Sequence, residues 1–398
     1  MPVTAPELQR LRALDWAGRV PGLVGLDPAV PLSRASGGAR HRLPRREDGA
    51  CAFLHPDTSR CLIHEHFGAE AKPLACRLYP FSFARLGEAV AVDVAFSCSA
   101  VSAGEGAPVA THAPDWERIL DEGDVEPPEL RPLLRPGRSL PPPIVRELET
   151  HLAGLLAEPG LPVVDRLRCA VRYVRLALTG DPATEAGATL RDALRAGLPR
   201  QVRTHEPEGA LDPTQRAVFF QWLHVTVNPP RPGADLLGRH GLEAERRRRV
   251  AQADRYREPG QRPFVAGREL RITHEDVPAV DPGPLRGDPE GRLARFLQAK
   301  LVGQRFLRTA SGDVPFVLAA HQLLLAVPLV AWTAKALAAD AGRMAVGPED
   351  VRSAIRLADV GIGQVSVTSL PRKHGRAFEF VLTETDLVTA AAHWLLGP

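Results

Sequence analysis

The sequence predicts an α+β protein that is mainly α, in which a small irregular cysteine module with a β-hairpin precedes an all-α helical domain. Three observations support this fold class. Apolar residues recur at helical spacing over most of the chain beyond residue 143. A short stretch before that point alternates apolar and smaller or polar residues, as a strand does. Four of the five cysteines are concentrated within residues 51–98.

The composition is that of a globular chain long enough for two or three structural units. Its 398 residues are 44% hydrophobic, which suffices for a substantial core. The 38 prolines are nearly twice the usual share, so many elements must be short. The 50 basic and 47 acidic side chains are too evenly balanced to indicate a nucleic acid or a membrane as partner.

The first 20 residues are predicted to form an N-terminal helix, from about Thr4 to Trp16. Thr4 and Glu7 have the spacing of a capping box, and three leucines supply an apolar stripe. This segment lacks the apolar run of a signal peptide, so a cytoplasmic location is expected. Residues 18–50 are rich in Gly, Pro and Arg, which favours an irregular connection.

A β-hairpin is predicted inside the cysteine module, which extends over residues 45–105. Phe81 and Phe83 alternate with smaller residues, and apolar residues alternate again from Ala89 to Cys98. Gly87 supplies the turn between the two runs. Cys98 falls in phase with the apolar row, so we expect it to face the same side of the strand.

Seven prolines between residues 121 and 143 predict a linker, and residues 144–398 are predicted to form an α-helical domain. The apolar stretch from Val314 to Ala331 contains His321 and two prolines, so it is interpreted as a buried core helix rather than a membrane span. The predicted helices are 144–157, 161–179, 186–199, 212–226, 234–257, 289–309, 313–341, 348–359 and 383–396.

Cys51, Cys61, Cys76 and Cys98 are the candidate metal ligands. In a reducing compartment, clustered cysteines are more often metal ligands or redox groups than disulfides. Five phenylalanines lie in the same 48 residues, and an apolar wall would shield the sulfurs from water. The alternative is that the thiols pack as small hydrophobic side chains. Cys169, which has no second cysteine near it in sequence, is interpreted as an unliganded thiol.

Basic side chains accompany these cysteines and would offset the charge of four thiolates: Arg60, His64, His66, Lys72 and Arg77. The gaps of 9, 14 and 21 residues contain no CxxC pair, which disfavours a simple zinc finger. A [4Fe–4S] cluster is therefore favoured over Zn²⁺. His55, His64 or His66 is each an alternative to one cysteine as ligand.

Four runs of this sequence, DGACAFL, RCLIHEHFG, KPLACRLYPFSF and VAFSC, resemble the YkgJ-type cysteine-cluster family, described as a zinc- or iron-chelating domain. The resemblance covers residues 48–102 and is most specific around Cys76. It implies metal binding by Cys51, Cys61 and Cys76, and places Cys98 with the terminal cysteine of long members related to flagellin lysine-N-methylases. The family's leading CxxCxxCC cluster is missing, so either the true start lies upstream or half the ligand set is kept.

The sequence thus predicts a metal-binding protein that holds a zinc ion or an iron–sulfur cluster. The alternative, implied by the resemblance, is an S-adenosylmethionine-dependent protein lysine N-methyltransferase, although no motif for that cofactor is present. A protein partner or substrate is compatible with either function. The basic run from Arg246 to Arg249 would spread around a helix, so it is interpreted as a solvated face and no nucleic acid is expected.

Overall fold

The structure is a computed structural model of the full chain. It describes residues 2–20, 23, 25–36, 39–46, 50–58, 60–123, 125–135, 137–202, 211–228, 244, 247–248, 251–253, 255–256, 260–309, 312–361 and 372–397.

The helices and strands of these ranges are numbered separately in chain order. The strands are β1 (Pro2–Val3), β2 (Val30–Ser36), β3 (Ala39–Arg42), β4 (Phe81–Leu86), β5 (Ala89–Val94), β6 (Leu133–Arg135), β7 (Arg138–Ser139), β8 (Phe264–Val265), β9 (Arg268–Glu269), β10 (Arg308–Thr309) and β11 (Gly312–Asp313). The α-helices are α1 (Ala5–Arg12), α2 (Trp16–Arg19), α3 (Leu62–Phe67), α4 (Leu74–Leu78), α5 (Ser99–Ala103), α6 (Ala113–Glu122), α7 (Pro142–Leu156), α8 (Val163–Leu176), α9 (Glu185–Val202), α10 (Pro213–Val227), α11 (Arg292–Val302), α12 (Phe316–Leu324), α13 (Ala326–Asp340), α14 (Pro348–Gly361), α15 (Arg372–Glu384) and α16 (Leu387–Leu396).

The predicted fold class is confirmed, because helices dominate and the strands form only small antiparallel sheets. One sheet has three strands in the order β1-β3-β2, and the others are the pairs β4-β5, β6-β7, β8-β9 and β10-β11.

The chain divides into two compact units. Unit 1 comprises Met1–Tyr79, Ala107–Glu126 and Pro230–Val250, and unit 2 comprises Pro80–Gly106, Pro127–Pro229 and Ala251–Pro398. This division differs from the predicted one in two places. The cysteine module of residues 45–105 is shared between the units, and the predicted linker of residues 121–143 contains the end of α6 and the β6-β7 pair.

In unit 1, the prediction of an irregular connection over residues 18–50 is wrong, because β2 and β3 lie within it. The strands β2 and β3 pair with each other, with Ser36 opposite Ala39. Only the pairing of β1, with Pro2 opposite Arg42, is non-local and leaves little local pattern. The N-terminal helix is also shorter than predicted and ends at Arg12. Asp15 then accepts a hydrogen bond from the Gly18 N–H (2.9 Å) and begins α2 separately.

The hairpin of unit 2 is confirmed: β4 and β5 pair without a bulge from Phe81–Val94 to Leu86–Ala89. Gly87 takes φ +60° in the turn, a left-handed conformation that glycine adopts without steric cost. The predicted strand is nevertheless too long. It ends at Val94, and Cys98 lies beyond it as the residue that precedes α5, so the prediction that Cys98 shares the strand's apolar face is wrong.

Most predicted helices of unit 2 are present, with two exceptions of physical interest. The predicted helix 313–341 is two helices, α12 and α13, separated at Leu325. Pro328 explains the break, since its ring has no N–H and would clash with the preceding turn of one continuous helix. Helix α15 (Arg372–Glu384) was not predicted. The predicted helix 234–257 and the basic run at 246–249 lie largely outside the described residues.

Helices α12 and α13 form the centre of unit 2's core. Their combined segment, Phe316–Asp340, is long and apolar enough to cross a membrane, but 89% of its most apolar window is buried inside the protein. Trp332 and Phe316 are fully buried there. The segment therefore lies in the core as the sequence predicted, although as two helices rather than one, and each such buried side chain contributes about 2–3 kcal/mol.

Candidate metal centre

Cys51 and Cys61 lie in neighbouring segments of unit 1 that are joined by main-chain hydrogen bonds. The Leu62 N–H donates to the Phe53 carbonyl and the His55 N–H to the Arg60 carbonyl, each at 2.8 Å. These bonds form a short antiparallel bridge, which ends where α3 begins after Cys61. The sequence between the two cysteines is thereby folded back on itself.

Cys76 reaches the same region on the short helix α4. The first N–H of that helix, on Leu74, donates to Glu7 Oε1 at 2.6 Å. The other carboxylate oxygen of Glu7 accepts from both the N–H and the hydroxyl of Thr4, at 2.7 and 2.8 Å. One buried side chain of α1 therefore caps two helices and fixes the position of α4.

The three cysteines pack against one small hydrophobic core. Two aromatic contacts lie beside them. The Trp16 ring is tilted against that of Phe53, with centroids 5.2 Å apart, and edge-on to that of Phe67, with centroids 5.0 Å apart. The fully buried apolar residues of this core are Val3, Leu8, Leu11, Ala29, Leu43, Phe53 and Ile63. We refer to this set, with the three cysteines, as the thiol core.

The electrostatics of the thiol core favour neutral thiols in the absence of a cation. Burial raises the pKa of Cys76 to about 12, and the neighbouring Cys51 and Cys61 raise it further. Burial likewise raises the pKa of Cys51, with Cys61 adding to the effect. The three sulfurs are therefore close enough for their charges to interact, and a metal would have to displace protons in order to bind.

The predicted basic side chains differ in their burial and in their contacts near these cysteines. Lys72 is half-buried and lowers the pKa of Cys76 against the larger effect of burial. The Arg77 guanidinium instead pairs with Glu70 at 2.7 Å and Glu122 at 2.6 Å. Arg60 and His64 are exposed, whereas the His66 ring lies against Phe67.

The fourth predicted ligand and the fifth cysteine belong to unit 2. Cys98 is half-buried at the start of α5, two residues after Phe96, which packs edge-on against Phe296 at 5.1 Å. Cys169 is fully buried on α8 and its pKa is raised to about 11, mainly by burial. All five cysteines are free thiols.

The thiols of the thiol core are suitable ligands for a thiophilic metal. Their sulfur atoms, however, are more widely spaced than the ligands of a single ion. Four sulfurs about 2.3 Å from a tetrahedral Zn²⁺ lie roughly 3.8 Å from one another. Within the described part of unit 1, no three ligand atoms from Cys, His, Asp or Glu lie within 4.8 Å of one another. Cysteines that ligate a [4Fe–4S] cluster bind different irons, so their sulfurs stand further apart.

Sequence reasoning identified the cysteines but not the carboxylate that positions α4. The capping box predicted Glu7 at the start of α1, yet the bond to Leu74 joins residues 67 positions apart and leaves no local signal.

No protein-family model, no curated protein and no solved structure matches this chain.

Proposed function

We propose that this protein binds a metal through Cys51, Cys61 and Cys76, with an iron–sulfur cluster as the preferred occupant and Zn²⁺ as the alternative. One observation carries the proposal. Three thiols from three separate segments pack against the same small apolar core, and burial raises the pKa of two of them, Cys51 and Cys76. In the sequence-based ligand set, Cys98 is the fourth thiolate.

The preference for a cluster rests on the spacing of the sulfurs. They interact electrostatically but are not all within 4.8 Å of one another, which suits a cubane better than a single ion. The aromatic wall of Trp16 and Phe53 would keep water from the inorganic core when it is bound, and such shielding is one determinant of cluster potential.

A metal would also add to the stability of unit 1. Among its described residues, seven buried apolar side chains form the main core, and small cores commonly depend on metals or disulfides. The five free thiols show no disulfide to take that role. Reduced thiols fit the predicted cytoplasmic location, where glutathione and thioredoxin keep them available as ligands.

The test is anaerobic purification of the full chain, followed by elemental analysis and visible spectroscopy, with reconstitution by iron and sulfide. We expect a brown protein that holds about four irons per chain, or a colourless one with one zinc. Cys76→Ser should abolish loading, whereas the matched control Cys169→Ala, which removes a buried thiol outside the thiol core, should load normally. A metal-free protein whose thiols all react freely, before and after reconstitution, would contradict the proposal.

The role of Cys98 is tested separately with Cys98→Ser. If Cys98 is the fourth ligand, this variant should hold a cluster that is spectrally altered or lost more readily than that of the wild type. Unchanged spectrum and stability would restrict the ligand set to the three cysteines of the thiol core.

Methyl transfer from S-adenosylmethionine rests on the resemblance alone, and no described feature favours it over metal binding.

A further inference from the structure

Three helices of unit 2 bring together a second set of metal-ligating side chains, remote in sequence from the cysteines. Glu147 and His151 lie one turn apart on α7, and Asp192 lies on α9. One ligand atom from each of these three residues lies within 4.8 Å of the other two. The i,i+4 spacing of Glu147 and His151 places both on one face of their helix, a signal already present in the sequence.

The imidazole of His151 is held in the orientation that a metal ligand requires. Its Nδ1 lies 2.7 Å from the hydroxyl of Tyr173, a residue of α8 that is fully buried. Its Nε2 points to the carboxylates and lies 3.5 Å from Asp192 Oδ1. Histidines that bind metals usually hydrogen-bond through the other ring nitrogen, which fixes the ring and its tautomer.

The charges around the site leave a net attraction for a cation. Arg191 donates to both carboxylate oxygens of Glu147, at 2.5 and 2.8 Å, and so fixes that carboxylate while leaving it lone pairs for a metal. Arg195 lies nearby and pairs with Glu158 at 3.3 Å. Two carboxylates and the one guanidinium bound to Glu147 sum to about −1.

Exposure increases across the cluster from Tyr173 outward. The side chain of His151 is 16% exposed, that of Glu147 is 30% exposed and that of Asp192 is 75% exposed. The site is therefore open on one side, where solvent water could complete the coordination of a bound ion. An imidazole with two carboxylates is a donor set suited to divalent first-row transition ions rather than to Mg²⁺ or Ca²⁺.

We propose that Glu147, His151 and Asp192 form a solvent-accessible site for a divalent transition ion such as Zn²⁺, with Tyr173 as a positioning residue. This site is independent of the thiol core in ligands and in chemistry. Without an ion, His151 hydrogen-bonds to Tyr173 and lies within ion-pair distance of Asp192, and that arrangement with no metal bound is the outcome that the experiment must exclude.

Co²⁺ is the probe that separates the two sites of the full chain. Thiolate ligation gives intense charge-transfer absorption, whereas a site of nitrogen and oxygen ligands gives only weak ligand-field bands. We expect one Co²⁺ equivalent of the second kind in the wild-type protein, competed by Zn²⁺. Asp192→Asn combined with His151→Gln should weaken this binding at least about 100-fold, because two of three ligands are lost.

Three further variants keep the test decisive. Glu185→Gln changes another acidic residue at the start of α9 and should leave Co²⁺ binding unchanged. Tyr173→Phe keeps all three ligands and should weaken binding by about 10- to 100-fold, as loss of a residue that orients a ligand does. The single variant Asp192→Asn is exposed enough to fold normally and should weaken binding at least tenfold. Absence of a thiolate-free Co²⁺ event, or an event that the double variant retains, would overturn the proposal.

Discussion

The two units bury charge in different ways. In unit 1, Glu7 is the one charged side chain that is deeply buried among the described residues, and main-chain N–H groups and a hydroxyl satisfy it. In unit 2, Lys300 is 2% exposed and contacts two buried carboxylates, Asp93 at 3.0 Å and Asp359 at 2.6 Å. A large core can thus enclose an ion network, whereas the small thiol core holds a single buried carboxylate beside three thiols.

The difference between the two cores indicates where each unit obtains its stability. Unit 2 has many buried apolar residues, and their burial stabilises it. Its buried charged side chains therefore need only oppositely charged or hydrogen-bonding partners. Unit 1 has a small core with three thiols packed against it, and a metal bound to those thiols would add its binding free energy to the stability of the folded unit. Four predictions test the comparison, in order of expected effect.

Removal of the metal should have the largest effect, and it should be confined to unit 1. We expect chelation of the loaded protein to cost several kcal/mol there, because the metal binds the folded arrangement of the ligands and its binding free energy is lost on removal. Hydrogen exchange measured by mass spectrometry should show loss of protection in α3 and α4, while α12 and α13 remain protected. Equal loss in both units would show that the metal does not stabilise unit 1 selectively.

Lys300→Met should destabilise unit 2 by about 3–5 kcal/mol, since it leaves two buried carboxylates without their cation. The Lys300 ammonium also donates to the Val94 carbonyl at 2.8 Å, and that carbonyl loses this donor as well. The free energy of unfolding in urea measures the effect. The matched control is Arg12→Met, which breaks an exposed ion pair with Asp27 in unit 1 and should cost less than about 1 kcal/mol. Similar costs for the two variants would contradict the prediction.

Glu149→Gln should stabilise unit 2 at alkaline pH, by on the order of 2 kcal/mol. Burial raises the pKa of Glu149 to about 8 from the ordinary 4.5, and Gln304 Nε2 donates to Oε2 at 3.2 Å. The other oxygens of both side chains have no partner, which suits a protonated carboxyl paired with the amide. Because the folded state holds this proton more tightly, its stability is complete below about pH 4.5 and declines as pH rises toward 8.

The measurement for Glu149 is the free energy of unfolding from about pH 5 to about pH 9. Glu149→Gln mimics the protonated acid and should flatten the decline over this range. A variant that loses stability equally at both ends of the range would show that Glu149 is ionised in the folded protein.

Glu7→Gln should have the smallest effect, a loss of about 1–2 kcal/mol at neutral pH, and the opposite pH dependence. Burial acts to raise the pKa of Glu7, but hydrogen bonds from Leu74 and Thr4 outweigh it and lower the pKa below 4.5. Its stabilisation is therefore present above pH 4.5 and lost as pH falls through the folded-state pKa. Thermal unfolding of both proteins should converge in acid. A difference that persists there would assign the effect of the substitution to packing instead.

Local patterns of sequence were sufficient for much of this molecule. The helical face of α8, the capping box at Thr4 and the turn at Gly87 each depend on residues close together in the chain, and each is present as predicted. The break at Leu325 before Pro328 is equally local and could have been predicted from the proline alone. The sheet of β1, β2 and β3 could not, because its central pairing joins the chain start to residues some 40 positions later.

The sequence by itself determined the mainly helical fold, the hairpin and the concentration of thiols, because periodicity, turn chemistry and composition are local properties. Only the tertiary structure decided which of those thiols share a core: Cys51, Cys61 and Cys76 pack against the same apolar residues, positioned by the bridge at Phe53 and the bond from Leu74 to Glu7. Cys98 belongs to unit 2. The tertiary structure also decided that His151 meets Asp192, and that Lys300 meets Asp93 and Asp359. These contacts depend on long-range packing of apolar faces, which brings together charges and thiols that have no relation along the chain.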